Sequence, residues 1–246
     1  MEAPAHASAW GPVAVNTASF IDYPGLVSTV LFMPGCNLRC PYCQNADIVT
    51  YSDRGQSTGL RRHGREEVEA ILDGGIGVID AVVITGGEAL SDDNLDCTAE
   101  LLGMARSRRY RTKVDTNGIT APRIRNRPDL WDRIDLLAMD TKPEADLETL
   151  LLSPDMPWES RPRMALELRT TVCRMPGMDT LLETVARLRR MPQANRMARA
   201  PWYLQPYRPC EGFGEGIADK TKHTADELHA MARDLGALVR ETGETL

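Results

Sequence analysis

The sequence has no hydrophobic run that approaches about 18 consecutive apolar residues, the length that predicts a membrane-spanning helix. It also has no excess of basic residues, because 29 Lys and Arg stand against 35 Asp and Glu and give a net charge of −6. Proteins that bind nucleic acid usually present a strongly basic surface. We therefore expect neither a membrane nor a nucleic acid as a partner.

Signals for secretion and for a disulfide framework are missing as well. The N-terminal run MEAPAHASAWGPVAV lacks the basic and apolar regions of a secretory signal. The six cysteines in 246 residues do not resemble the paired set of a small secreted protein. We expect a cytoplasmic chain. No repeat or low-complexity linker divides it, so we predict one domain over residues 1–246, with a core at about 15–210 and a C-terminal helix at about 224–241.

Short β-branched apolar runs alternate with longer amphipathic stretches, the pattern of βα units in a parallel sheet. The last helix begins with a capping box of Thr224 and Glu227. With right-handed crossovers, the pattern predicts an α/β fold, a partial (β/α)6 TIM-like barrel with parallel strands. The predicted strands are Val27–Met33, Ala81–Thr85, Arg111–Asp115, Leu136–Asp140, Leu166–Val172 and Trp202–Pro206, and the predicted helices are Arg65–Asp73, Leu95–Ser107, Asp179–Arg190 and Thr224–Glu241.

Three cysteines lie in one loop after the first predicted strand: Cys36, Cys40 and Cys43, spaced C-x3-C-x2-C. Three thiolates this close converge on one metal centre, but a structural zinc almost always has four protein ligands. Three cysteine ligands instead suit an iron–sulfur cluster in which one iron has no protein ligand and binds another molecule. Zinc stays open as an alternative if a distant cysteine or histidine supplies the fourth ligand.

Unusual residues also follow the other predicted strands, at the ends where a βα barrel places its active site. Each of these features alone has a structural explanation as a common turn sequence. Together, behind the cysteine loop, they predict a ligand site. They are Gly86, Gly87, Glu88, Asp115, Thr116, Asn117, Asp140, Lys142, Arg169, Gln205, Tyr207 and Arg208.

The chemistry of these side chains suggests what the site holds. Glu88 could accept hydrogen bonds from an ammonium group, while Lys142 and Arg169 could counter a carboxylate. Tyr42 offers a flat face to an aromatic base. Asp115 and Asp140 would repel each other on adjacent strand ends unless they shared a cation.

A basic run of Arg106, Arg108, Arg109, Arg111 and Lys113 has two interpretations. It could contact a partner, or it could place favourable positive charge at a helix C-terminus with the remaining side chains solvated. We favour the second interpretation.

The cysteine motif with Tyr42 before its last cysteine, together with Gly86-Gly87-Glu88, resembles the radical S-adenosylmethionine (SAM) superfamily. Residues 20–45 resemble the activating proteins of glycyl radical enzymes, and Ile21–Gly25 most resembles the activators of anaerobic ribonucleotide reductase. The segments VDTNG, LLAMDTK, ELRTTV and YLQPYRP are similar in order and spacing to that group and to pyruvate formate-lyase activases. The resemblance covers about residues 15–210.

This resemblance implies that Cys36, Cys40 and Cys43 hold a [4Fe–4S] cluster whose fourth iron binds the amino and carboxylate groups of SAM. The reduced cluster would cleave SAM to methionine and a 5′-deoxyadenosyl radical, which in an activase removes hydrogen from a glycine of a partner enzyme. A flavodoxin or ferredoxin type protein would donate the electron.

The same resemblance assigns roles to single residues. Gly86, Gly87 and Glu88 would hold the methionine amino group. Asp115, Thr116 and Asp140 would lie near the carboxylate, where pyruvate formate-lyase activases hold a monovalent cation. The remaining predicted contacts with the cofactors are those of Tyr42, Asn45, Asn117, Lys142, Arg169 and Arg208.

Three positions depart from the family pattern: Gln44 replaces a usual His, Ala89 a usual Pro and Thr141 an apolar residue. One alternative function is a stand-alone radical enzyme that acts on a small molecule or peptide. Another is a non-catalytic iron–sulfur or zinc protein, against which the strand-end carboxylates argue. Cys97 and Cys173 are predicted to be buried thiols, and Cys210 has no assigned role.

Overall fold

The structure is a computed structural model that describes residues 10–54, 59–208 and 223–240. Strands and helices alternate through most of this part of the chain. The strands are β1 (Ala14–Tyr23), β2 (Leu26–Met33), β3 (Ala81–Gly86), β4 (Arg111–Thr116), β5 (Leu136–Asp140), β6 (Ala165–Val172), β7 (Trp202–Pro206) and β8 (Leu238–Val239). The helices are α1 (Ala46–Arg54), α2 (Arg65–Gly74), α3 (Leu95–Ser107), α4 (Pro128–Trp131), α5 (Leu147–Leu152), α6 (Met178–Arg189) and α7 (Ala225–Leu235).

All of these strands form one sheet in chain order from β1 to β8. β1 runs antiparallel to β2, and every later strand is parallel to the strand before it. The six predicted strands match β2 to β7 to within one residue at each end. The open, sequential, mostly parallel sheet confirms the predicted α/β partial barrel.

The strand β1 was not predicted. It joins β2 through Pro24 and Gly25, and Gly25 has a φ of 74°, which suits the third position of a type II turn. Its pairing with β2 is irregular on both sides of Ser19, and Phe20 and Ile21 are both exposed. These irregularities remove the simple alternation of apolar and polar residues by which a strand is recognised.

The C-terminal helix is shorter than predicted. It begins as expected, with the capping box of Thr224 and Glu227 present, but it ends at Leu235 instead of 241. Gly236 takes a left-handed conformation with a φ of 70°, which terminates the helix. Leu238 and Val239 then pair with β7 as the short strand β8.

Side chains alternate between the two faces of each strand, so the sheet has two apolar sides. Val82 and Ile84 belong to the large core that the sheet forms with the helices. Ala81 and Val83 belong to a smaller cluster on the opposite face, together with Val30. Within the described ranges, no helix is both long and apolar enough to cross a membrane.

Candidate active site

A cavity of about 210 Å³ opens where the parallel strands end, and all but two of the predicted site residues line it. These residues are Cys36, Cys40, Tyr42, Cys43, Asn45, Gly86, Gly87, Glu88, Asp115, Thr116, Asn117, Asp140, Lys142 and Arg169. Gln205 also lines the cavity, with Leu38, Gln44, Val49, Thr85 and Thr171, which the motifs did not indicate.

Arg208 and Tyr207 are the exceptions. Arg208 is exposed and does not line this cavity. The neighbouring Tyr207 is buried in the core, and successive residues of an extended segment point to opposite sides. Cys210 lies outside the described residues.

The cysteine loop connects β2 to α1 and holds its three thiols on one wall of the cavity. The Leu38 N–H lies 3.3 Å from Cys36 Sγ and donates to it, and Cys43 N–H donates to the Cys40 carbonyl at 3.0 Å. Burial raises the pKa of Cys36 to about 11, although the Leu38 N–H acts in the opposite direction. Burial also raises the pKa of Cys40. Without metal these thiols are therefore protonated at neutral pH, and a metal centre would displace the protons.

Gly86 and Gly87 bring the end of β3 into direct contact with the cysteine loop. A Cβ on Gly87 would lie 1.7 Å from the Gly35 carbonyl oxygen, and Gly86 has a φ of 118°. The Gly87 and Glu88 N–H groups donate to the carbonyls of Met33 and Gly35, both at 2.9 Å. The glycines were expected to admit a ligand, and in the structure they also position the loop that carries the thiols.

Glu88 links the end of β3 to the end of β4. Its buried carboxylate accepts from Thr116 Oγ1 at 2.7 Å, from Asn117 N at 2.8 Å and from its neighbour Leu90 N at 2.9 Å. Burial raises the pKa of Glu88, and these three donors offset the rise only in part. Because a carboxylate has about four acceptor positions, one position remains for an ammonium group in the cavity.

Two asparagines connect the loops around the cavity. Asn117 Nδ2 donates to Asn37 Oδ1 at 2.7 Å, which ties the end of β4 to the cysteine loop. Asn45 Nδ2 donates to the Gly86 carbonyl at 3.1 Å, which ties the start of α1 to the end of β3. The ends of β3 and β4, the cysteine loop and the start of α1 are therefore joined by hydrogen bonds.

Arg169 reaches both acidic strand ends. Its Nε donates to Asp140 Oδ1 at 2.8 Å, and its Nη1 lies 3.3 Å from Asp115 Oδ1. Burial alone would raise the pKa of Asp115, but the charges of Arg169 and Lys113 outweigh it and hold that pKa below its usual value. The repulsion that suggested a shared cation is thus already relieved by side chains, and these residues do not fit a bound monovalent cation.

Lys142 and Tyr42 contact each other across the cavity. Lys142 Nζ lies 5.2 Å from the centroid of the Tyr42 ring and 4.0 Å from Asp140 Oδ2. One face of the buried ring is therefore covered by an ammonium group. The use of this ring by an aromatic base stays a prediction.

Two charged residues behind the cavity were missed as site residues. Lys113 is buried, so the expectation that the side chains of the basic run outside the helix are solvated is wrong for this residue. Arg106 and Arg108 lie at the surface, where they form ion pairs with Asp135 and Asp73. Glu167 is buried too. The signal was present in the sequence, because Lys113 and Glu167 precede Asp115 and Arg169 by two strand positions and so share their face.

Neither Cys97 nor Cys173 completes a zinc site. Cys97 and Cys173 are buried, as predicted. Within residues 10–54, 59–208 and 223–240, no three His, Cys, Asp or Glu side chains could hold a single metal ion. The cavity instead fits an iron–sulfur cluster at its three thiols. Its carboxylates and cationic side chains fit a ligand that carries both an ammonium and a carboxylate group. Asp115 also lines this cavity, and its buried Oδ1 lies beside Lys113 Nζ and Arg169 Nη1.

The fold and site together define an α/β protein with a partial barrel, in which three thiols line a cavity at the carboxyl ends of the parallel strands. The family model described as the Radical SAM superfamily matches residues 30–191. The chain belongs to the radical SAM superfamily.

Named relatives support the assignment. The chain is 35% identical over 124 residues to a Methanocaldococcus jannaschii protein described as a candidate glycyl-radical enzyme activating enzyme, covering 50% of this chain and 47% of the relative. It is 30% identical over 125 residues to the pyruvate formate-lyase-activating enzyme of Streptococcus mutans, covering 50% of this chain and 44% of the relative. The matches span about half the length of these relatives.

A solved structure supports the fold alone. Streptococcus suis SuiB bound to the precursor peptide SuiA aligns with a TM-score of 0.53 at 14% identity, covering 84% of this chain and 44% of SuiB.

Proposed function

We propose that this protein is a radical SAM activating enzyme that generates a glycyl radical on a partner enzyme. The observation that carries the proposal is that Cys36, Cys40 and Cys43 line the same cavity as the polar ends of β3 to β6. When bound and reduced, a [4Fe–4S] cluster supplies the electron that cleaves SAM to methionine and a 5′-deoxyadenosyl radical. The protein supplies the orientation and electrostatics for this chemistry.

Each wall of the cavity has a part in holding SAM. The three thiolates hold the cluster and leave one iron without a protein ligand. The backbone at Gly86 and Gly87 and the remaining acceptor position of Glu88 hold the amino group. Lys142 and Arg169 counter the carboxylate, because Lys142 has only a long 4.0 Å ion pair with Asp140 and both cations line the cavity.

The activating role rests on the relatives named above and on the sequence around the hairpin of β1 and β2. We infer an anaerobic ribonucleotide reductase as the partner, because Ile21–Gly25 resembles the activators of that enzyme. A flavodoxin or ferredoxin type protein would donate the electron, and the reaction would take place in the cytoplasm. The alternative is a stand-alone radical SAM enzyme whose substrate is a small molecule or a peptide.

The cluster is tested with Cys40→Ala after anaerobic reconstitution, with Cys97→Ala as the matched control, because Cys97 is a buried thiol outside the cavity. We expect Cys40→Ala to lose the intact cluster and the release of 5′-deoxyadenosine with dithionite, and Cys97→Ala to keep both. A wild-type protein that binds stoichiometric zinc and releases no 5′-deoxyadenosine would refute the radical SAM activity.

The activating role needs a separate experiment. The reconstituted protein is incubated anaerobically with SAM, dithionite and the candidate reductase, and the glycyl radical is measured by electron paramagnetic resonance. A partner with its acceptor glycine replaced by alanine is the control. Normal SAM cleavage without a glycyl radical would count against activation and favour the stand-alone enzyme.

A further inference from the structure

Lys113 is a lysine that the fold has removed almost completely from solvent, with 1% of its surface exposed. Its Nζ lies 3.1 Å from Asp115 Oδ1 and donates to the Asp22 carbonyl at 2.6 Å. A buried ammonium is costly unless it is paired and hydrogen-bonded. Both conditions are met here, and one partner is a carboxylate of the cavity.

The ion pairs around Lys113 form a balanced set. Three carboxylates, Asp115, Asp140 and Glu167, lie on neighbouring strands of the sheet. Lys113 and Arg169 contact Asp115, Arg169 contacts Asp140, and Arg240 pairs with Glu167 at 2.6 Å. These three cations match the three anions, and Lys142 adds a longer 4.0 Å contact with Asp140 from the cavity side. One more bound cation would therefore add to a positive charge that already equals or exceeds the negative charge of this set, in a site of low dielectric constant.

We propose that Lys113, together with Arg169, is the resident counter-cation of Asp115 and Asp140 and takes the place of a bound monovalent cation. Lys113 is a positioning residue, because it touches Asp115 and Asp22 near the end of β1 but does not line the cavity. The wild-type protein therefore needs neither K⁺ nor Na⁺ to hold this part of the site in place.

The geometry also predicts which change creates a need for the ion. Lys113→Met keeps an unbranched side chain but is one atom shorter and lacks the ammonium. The space that Nζ occupied would then face two oxygens, Asp115 Oδ1 and the Asp22 carbonyl, at 3.1 and 2.6 Å from its former position. Oxygen atoms of carboxylates and carbonyls are the ligands that hard cations prefer. K⁺ should bind there and restore the lost charge.

The first experiment uses the full chain without its cluster, so its outcome does not depend on the proposed function. The melting temperature is measured in KCl and in N-methyl-D-glucamine chloride at equal ionic strength. We expect no difference for wild type or for Arg125→Met, which removes one exposed positive charge. For Lys113→Met we expect a saturable rise, roughly 5–10 °C when K⁺ exceeds its dissociation constant 100-fold.

A double variant tests whether Asp115 is the reason. Lys113→Met/Asp115→Asn removes both charges, so its melting temperature should no longer respond to K⁺. A saturable K⁺ effect on the wild type would overturn the proposal, as would a Lys113→Met protein that melts identically in both salts or stays unfolded in both.

A second readout concerns the ligand and rests on the proposed function. The affinity of the reconstituted protein for SAM is measured by equilibrium dialysis in the same two salts. We expect the dissociation constant of wild type to be equal in both salts and that of Lys113→Met to fall at least about tenfold in KCl, the factor that corresponds to one pKa unit or 1.4 kcal/mol. K⁺-independent weak binding by Lys113→Met would overturn the proposal, whereas undetectable SAM binding by wild type would instead refute the proposed function.

Discussion

Gly87→Ala is the substitution whose consequence the structure defines most sharply. The added Cβ would lie 1.7 Å from the Gly35 oxygen and 2.5 Å from the Gly35 carbonyl carbon. Both are backbone atoms, so no change of rotamer can relieve the overlap. Either the end of β3 or the cysteine loop must move by an ångström or more.

The cost of this movement has two parts. Adding a methyl group to a closely packed site costs about 1–3 kcal/mol, and a backbone neighbour places this one at the upper end. The hydrogen bonds from Gly87 N to Met33 O and from Glu88 N to Gly35 O, both 2.9 Å long, would be distorted as well. At about 1 kcal/mol each, they bring the total to about 5 kcal/mol. For a chain of this size, that lowers the melting temperature by roughly 10 °C.

Two measurements check the prediction: the thermal unfolding of the cluster-free protein and the iron and sulfide content after anaerobic reconstitution. Gly74→Ala is the control, because a Cβ at this last residue of α2 meets nothing within 4 Å. Alanine is favoured over glycine in a helix by about 0.5–1 kcal/mol. The control should therefore melt at or slightly above the wild-type temperature and take up the full complement of iron.

The reasoning would be refuted by a Gly87→Ala protein with the melting temperature and iron content of wild type. A protein that melts 10 °C lower but still takes up the full complement of iron would be a different result. It would mean that the β3 end moves and that the cysteine loop keeps its place.

Two further predictions concern the same wall of the site. Glu88→Gln should destabilise the cluster-free protein by about 2 kcal/mol in urea unfolding. An amide cannot accept all three hydrogen bonds that Glu88 receives, and hydrogen bonds to charged groups contribute about 1.5–3 kcal/mol. An unchanged free energy of unfolding would contradict this. Burial raises the pKa of Cys36 to about 11, so its thiolate is scarce at neutral pH. The rate of its alkylation by iodoacetamide should therefore increase about tenfold per pH unit from pH 7 to 10, and mass spectrometry measures this rate. A rate that levels off at about pH 9, just above the pKa of about 8.5 of an ordinary thiol, would contradict this.

Strands β2, β3 and β5 could be predicted from the sequence because each is mainly a short apolar run that leads into a loop with polar or glycine residues. Leu136–Asp140 and Trp202–Pro206 were predicted with the bounds that the structure shows. The strand β1 could not be predicted in this way, because its pairing is irregular and its Phe20 and Ile21 face solvent. The end of α7 at Leu235 depends on one left-handed glycine and on pairing with a strand distant in sequence.

The site residues, like the strands and helices, were predictable from the sequence only in part. The spacing of Cys36, Cys40 and Cys43 predicted that the three thiols lie together, because thiols close in sequence must be close in space, and all three line the cavity. The hydrogen-bond partners of Glu88 could not be predicted. The sequence is the same whether its carboxylate binds a ligand or accepts hydrogen bonds from Thr116 and Asn117, as it does in the structure.

The sequence by itself determined the order of strands and helices, the three thiols and the polar strand ends, because these follow from local periodicity and spacing. Only the tertiary structure decided how the charges are compensated. Asp115 and Asp140 looked like a pair in need of a cation, and the fold supplies Lys113 and Arg169 from neighbouring positions of the sheet. Compensation of buried charge depends on distances between strands, and those distances are fixed only when the sheet has formed.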